Sequence, residues 1–75
     1  MTAGDRNRQQ FAKAIRGSLA DPYGPWGQPL IDWLDFYRYR IGMDFERLSA
    51  LAKDLTGIEP AEFDEIIRAA EERAN

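Results

Sequence analysis

Five carboxylates stand close enough in sequence to suggest chemistry: Asp32 and Asp35, three residues apart, and Glu62, Asp64 and Glu65. On a helix each set falls within about one turn. Two carboxylates can divide acid and base roles when a water-excluding cleft raises the pKa of one of them. Little else in the 75 residues suits catalysis. There is no histidine and no cysteine, so the usual zinc, haem and copper ligand sets are absent and nucleophile–histidine dyads are excluded. The glycines fit neither the dinucleotide fingerprint nor the phosphate-binding loop, and no calcium loop of EF-hand spacing occurs. Four short helices offer little room for a cleft. The carboxylates therefore read as solvated charge, the chain as no enzyme, and no cofactor or metal is expected.

The elements that carry these side chains are helical nearly throughout, because apolar residues recur at three- and four-residue spacing and no run alternates like a strand. The expected fold is all-α: one domain, 1–75, a compact bundle of four short helices. Residues 1–4 are expected to fray. Asp5 is the expected cap of a first helix, about 5–20, with Phe11, Ala12, Ile15 and Leu19 on its inner face and Gly17 weakening its last turn. The segment 21–29, DPYGPWGQP, holds three of the four prolines and reads as a stiff, ordered loop. Pro29 suits the first position of a second helix, about 29–41, which stops at Gly42. Asp44 caps a third helix, 44–56, with Met43 stapled to its first turn. Its inner stripe is Phe45, Leu48, Leu51, Ala52 and Leu55. Gly57 ends it in a left-handed turn and places Ile58 to pack back. Pro60 opens a fourth helix, 60–74, with Phe63, Ile66, Ile67 and Ala70 inward.

The second helix differs from the others. Seven of the nine aromatic residues lie between Tyr23 and Phe45. At about 100° per residue, Leu30, Leu34, Tyr37 and Ile41 form its inward stripe, Ile31 and Trp33 flank it, and Phe36 and Tyr39 point away. Two arrangements satisfy that pattern. Either the 21–29 loop folds back and covers the far side, packing Tyr23 and Trp26 on Phe36 and Tyr39, or those rings form an exposed patch. Full burial of a large apolar side chain contributes roughly 1.5–3 kcal/mol, and a chain of this size needs about a dozen. Phe11, Ile15, Leu19, Leu30, Leu34, Tyr37, Ile41, Phe45, Leu48, Leu51, Leu55, Phe63, Ile66 and Ile67 supply that number, so the remaining rings are free for external use.

Charge is unevenly spread. Residues 1–20 carry four bases against one acid, a net +3, and residues 43–75 carry nine acids against four bases, a net −5, within an overall −3. Residues 48–67, LSALAKDLTGIEPAEFDEII, resemble a helix-turn-helix in outline: two helices joined by a short glycine turn and a packing residue. That resemblance implies a DNA-binding or transcription-regulating protein with the fourth helix in the major groove. The chain departs from it at Lys53, where the usual unit has a small residue. It departs again in the fourth helix, whose Glu62, Asp64, Glu65, Glu71 and Glu72 against Arg68 and Arg73 oppose approach to phosphates. Arg6, Lys13 and Arg16 on the first helix are a candidate phosphate-contacting face. The acidic fourth helix also suits, in reverse, imitation of a phosphate backbone.

The reading that gathers most of these features is a small protein–protein interaction module: an adaptor, regulator or inhibitor of the kind common among phage-encoded proteins. Its expected partner-binding residues are Tyr23, Trp26, Trp33, Phe36, Tyr39 and Arg40, with Asp32 and Asp35 on the rim, since Trp, Tyr and Arg dominate interface hot spots. The partner is another protein, or a second copy in a homodimer. The alternatives are the helix-turn-helix regulator and a homodimerising structural protein. No stretch approaches a membrane span and no apolar signal core opens the chain. With no cysteine, the setting is expected to be cytoplasmic.

Overall fold

The structure, a computed structural model, describes residues 2–74. It is the expected all-α bundle: α1 (Ala3–Ala20), α2 (Gly27–Asp35) running into a π turn (Phe36–Arg40), α3 (Phe45–Thr56) and α4 (Pro60–Ala74). α2 lies between α1 and α4, and α3 closes on α1 and α4. Phe11, Ile15, Leu30, Leu34, Tyr37, Leu48, Ala52, Ile58, Phe63, Ile66 and Ile67 fill the centre.

α1 begins earlier than Asp5, with Thr2 as its cap and Ala3 and Gly4 in its first turn; Met1, the first of the residues expected to fray, lies outside the described residues. The Thr2 hydroxyl accepts from the Asp5 N–H at 3.2 Å, and the Asp5 carboxylate accepts from the Thr2 N–H at 3.4 Å. Asp5 is thus the returning half of a reciprocal box, which satisfies two orphan donors where a lone Asp cap satisfies one. Gly4, Asn7 and Arg8 of α1 line a groove with Phe36. α1 buries Phe11, Ala14, Ile15 and Ser18, and that stripe leaves Leu19 on its edge, exposed rather than in the core.

α2 also starts early, with Leu30 N–H donating to Trp26 C=O at 3.0 Å. Pro29 is therefore the third helical residue, still inside the turn whose N–H groups lack helical partners. Gly27, the first, is buried against Ala70 of α4. The other end departs further. Ile41 N–H reaches back five residues to Phe36 C=O at 3.1 Å, and Met43 N–H donates to Tyr37 C=O at 2.9 Å. A π turn holds one residue more than an α turn, so everything after it loses the phase of the stripe before it. Leu30, Leu34 and Tyr37 face inward as expected, but Ile41 does not: it is 56% exposed. Gly42, at φ 86°, then breaks the helix.

α3 follows its signals. Asp44 accepts from Arg47 N–H at 2.8 Å, and Gly57 takes φ 78° with its N–H on Lys53 C=O at 2.7 Å. Ile58 is buried behind it and Met43 packs on the core. The Arg16 guanidinium donates to Leu55 C=O at 3.1 Å, placing a cation on the carbonyl end of α3. Phe45 is the exception. It stacks on Phe63, centroids 6.0 Å apart, and remains 41% exposed. As the first residue of α3 it stands at the rim of the bundle.

Candidate partner-binding surface

The six expected contact residues do not form one surface. They divide into three groups, each positioned by a different local cause.

Trp26 lies on α1. Its ring sits over Gly17 so closely that a Cβ there would overlap the indole, and the Lys13 ammonium stands 5.7 Å from the ring centroid. The glycine expected to weaken α1 is instead the socket for this side chain. Tyr23 is 63% exposed and borders a shallow groove with Leu19, Pro22 and, from α4, Glu62, Glu65 and Ile66. The loop that carries both rings is pinned. The Asp21 carboxylate accepts from Tyr23 N–H at 3.2 Å, and Gly24 N–H donates to Asp21 C=O at 2.9 Å. Arg73 of α4 donates to Gly24 C=O at 3.0 Å. A Cβ on Gly24 would come within 2.7 Å of the Asp21 carboxylate, so a side chain there would force Asp21 to shift. The loop, shortened from the expected 21–29 to 21–26 because 27–29 are already helical, therefore bridges α1 and α4. It neither covers Phe36 and Tyr39 nor extends them.

Trp33 and Phe36 form the second group. Their rings meet edge to face at 5.6 Å, and both pack on Tyr37, at 6.2 Å and 5.4 Å. Each is half-buried against the core. Phe36, expected to point away, is instead half-buried with its ring against Trp33 and Tyr37.

Tyr39 and Arg40 form the third group and are exposed, Tyr39 at 74%. They stand where the π turn leaves the bundle. Two residues that the sequence pattern had not marked join them. Arg38 is exposed with its guanidinium 5.7 Å from the Tyr39 ring centroid, and Ile41 is turned outward. Ile41 also lines a groove of about 200 Å³ with Phe36, Met43, Leu51 and the start of α1. That is smaller than the roughly 300–1,000 Å³ of a small-molecule site and suits a single partner side chain. The signal for Ile41 was present only as a break in helical phase, which spacing alone does not reveal.

Asp32 accepts from the Gln28 amide at 2.9 Å and Asp35 is exposed. Asp64 pairs with Arg68 at 2.9 Å on the surface. Among the described residues no group of three or more His, Cys, Asp or Glu side chains is placed to hold a metal, and no helix is long and apolar enough to cross a membrane. Two of the three basic residues of the α1 face have contacts within the chain: Lys13 with Trp26 and Arg16 with Leu55. No protein-family model matches the chain, and neither the curated proteins nor the solved structures contain a detectable match to it.

Proposed function

We propose that the chain is a protein-binding module, an adaptor, regulator or inhibitor rather than an enzyme, and that it docks through the corner formed by Arg38, Tyr39, Arg40 and Ile41. The observation that carries this reading is the outward turn of two large side chains, Tyr39 and Ile41, beside an apolar groove. Leaving such groups in water forgoes burial that the fold could have used. A π turn is the device that turns Ile41 out beside the already outward Tyr39, and such turns are frequent at functional sites. Arg38 and Arg40 add a local positive spot to a chain of pI about 4.8, which suits a partner surface that is apolar at its centre and acidic at its edge. Trp33 and Phe36 then act beneath the surface, holding the turn in place. A chain without cysteine fits a cytoplasmic setting.

The test compares two tagged proteins in native host lysate, the wild type and a Tyr39→Ala/Ile41→Ala variant, by quantitative mass spectrometry. The expected result is a protein enriched by the wild type and lost by the variant, with both melting at nearly the same temperature. Equal enrichment by the two proteins, or enrichment by neither, would remove the corner from the reading.

A further inference from the structure

The outer face of α3 points to a second partner. Leu48 and Ala52 face the core. On the opposite side Glu46, Arg47, Ala50, Lys53, Asp54 and Gly57 are all exposed. Ala50 is the centre of that face. At about 100° per residue, Glu46 and Lys53 lie to one side of it and Arg47 and Asp54 to the other. Each side therefore carries one acid and one base seven residues apart, about 10.5 Å along the axis. Pairs that stabilise their own helix are three or four residues apart. The residues one turn inward from all four charges are Ser49, Ala50 and Leu51, none of them charged. Among the described residues Glu46, Arg47 and Asp54 have no ion-pair partner, and Lys53 meets only Glu59, at 3.4 Å with both side chains more than half exposed.

We propose that this face binds the same face of a second copy of the chain, the two α3 helices running antiparallel across a two-fold axis at Ala50. A two-fold axis perpendicular to the helices reverses their direction and keeps like sides together. It sets Glu46 against the partner's Lys53 and Arg47 against the partner's Asp54, each twice. The small Ala50 side chain lets the helices approach. Parallel pairing would also match charges, Glu46 with the partner's Arg47 and Lys53 with the partner's Asp54. The apolar surface decides between them. A groove of about 450 Å³ lined by Phe45, Ser49, Ala50 and Pro60 lies only on the side of Glu46 and Lys53. Antiparallel pairing joins the two grooves along one edge and covers both half-exposed Phe45 rings. Parallel pairing would set each groove against the partner's Arg47 and Asp54. A helix of 12 residues offers less than the roughly 800 Å² per partner of a standard interface, so the association is weak and sensitive to salt.

The interface does not involve the Tyr39 corner, and its test is independent of that reading. Sedimentation equilibrium from micromolar to millimolar protein at low ionic strength is the measurement. The wild type is expected to dimerise, less so in high salt. Glu46→Lys and Lys53→Glu should each weaken the dimer by roughly tenfold, since each places like charges opposite one another twice. The double variant Glu46→Lys/Lys53→Glu should recover it. In a parallel dimer the double variant would not recover, because the introduced lysine would face the partner's Arg47. All of these positions are exposed, and thermal melting of each variant confirms that it folds. A wild type that stays monomeric at millimolar concentration, a dimer indifferent to the single reversals, or a double variant that fails to recover would each overturn the proposal.

Discussion

From Trp26 onward the aromatic segment divides at Tyr37 into two stretches that share a composition and differ in what they touch; Tyr23, ahead of both on the loop, is 63% exposed. Before the division, Trp26, Trp33, Phe36 and Tyr37 all lie against the protein: one on a glycine socket in α1, the others packed together at 5.4–6.2 Å. After it, Tyr39, Ile41 and Phe45 are 74%, 56% and 41% exposed. The contrast is not one of hydrophobicity, since both stretches are rich in large apolar groups. For Ile41 it is one of backbone phase. A single wide turn between Phe36 and Ile41 shifts the stripe that would have put Ile41 in the core, while Tyr39 faces outward on the plain helical period and Phe45 stands at the rim. Counting rings does not locate an interface in such a segment; the hydrogen-bond register does.

Substitutions on either side of Tyr37 should separate the two stretches most clearly. Leu34 is 4% exposed, and Leu34→Ala should cost about 2–5 kcal/mol as a core cavity. Phe36→Ala should cost about 1.5–3 kcal/mol, roughly half the penalty of a fully buried Phe, because its ring is half-buried against Trp33 and Tyr37. Tyr39→Ala should stay within about 0.5 kcal/mol. Urea unfolding of the three variants gives this ranking directly. A Phe36→Ala protein as stable as Tyr39→Ala would erase the boundary and return Phe36 to the surface.

Gly17→Ala should sharpen the inward half. In an exposed helix interior this change stabilises by about 1 kcal/mol. Here the new methyl meets the Trp26 ring, and overpacking of that kind costs about 1–3 kcal/mol. The net effect is expected to be a loss of up to about 2 kcal/mol, arising from the ring alone. In a Trp26→Ala background the same change should become stabilising. If Gly17→Ala has one sign in both backgrounds, Trp26 does not occupy that socket in solution.

How much of this was legible in the sequence follows from how local each cause is. The caps at Asp44 and Gly57 and the opening of α4 at Pro60 depend on residues within four positions of each other, and all three stand as expected. The inward stripe Leu30, Leu34 and Tyr37 needed only a constant helical period, and the same assumption failed one turn later at Ile41. Leu19 and Phe45 were misplaced because their exposure depends on where neighbouring helices end. The capping box at Thr2 and Asp5 was available in the sequence and was read as a cap at the wrong one of its two members. Trp26 on Gly17 and Arg73 on Gly24 are contacts between distant positions. No periodicity announces them, and they set Trp26 and the loop apart from the other candidate residues.

Tyr37 itself offers the smallest and most specific test, because it stands at the boundary. Its ring lies 5.0 Å from Phe11 and 5.4 Å from Phe36. Burial raises its phenol pKa above the ordinary value, and the nearby Arg8 charge opposes that shift without cancelling it. Below about pH 10 the phenol is neutral in both folded and unfolded chains and contributes no pH dependence. As pH rises past that point the unfolded chain releases its proton first while the folded chain retains it. Stability must then fall, and it continues to fall until the folded phenol also ionises. Other groups titrate in the same range, so the informative quantity is a difference. Wild type and Tyr37→Phe, unfolded by urea at a series of alkaline pH values, should run parallel up to about pH 10 and diverge above it, with the wild type losing more. Arg8→Gln should widen that divergence by removing the opposing charge. Curves that remain parallel throughout would mean that Tyr37 is solvated in solution, and the boundary between the packed and exposed stretches would then lie before it, at Phe36.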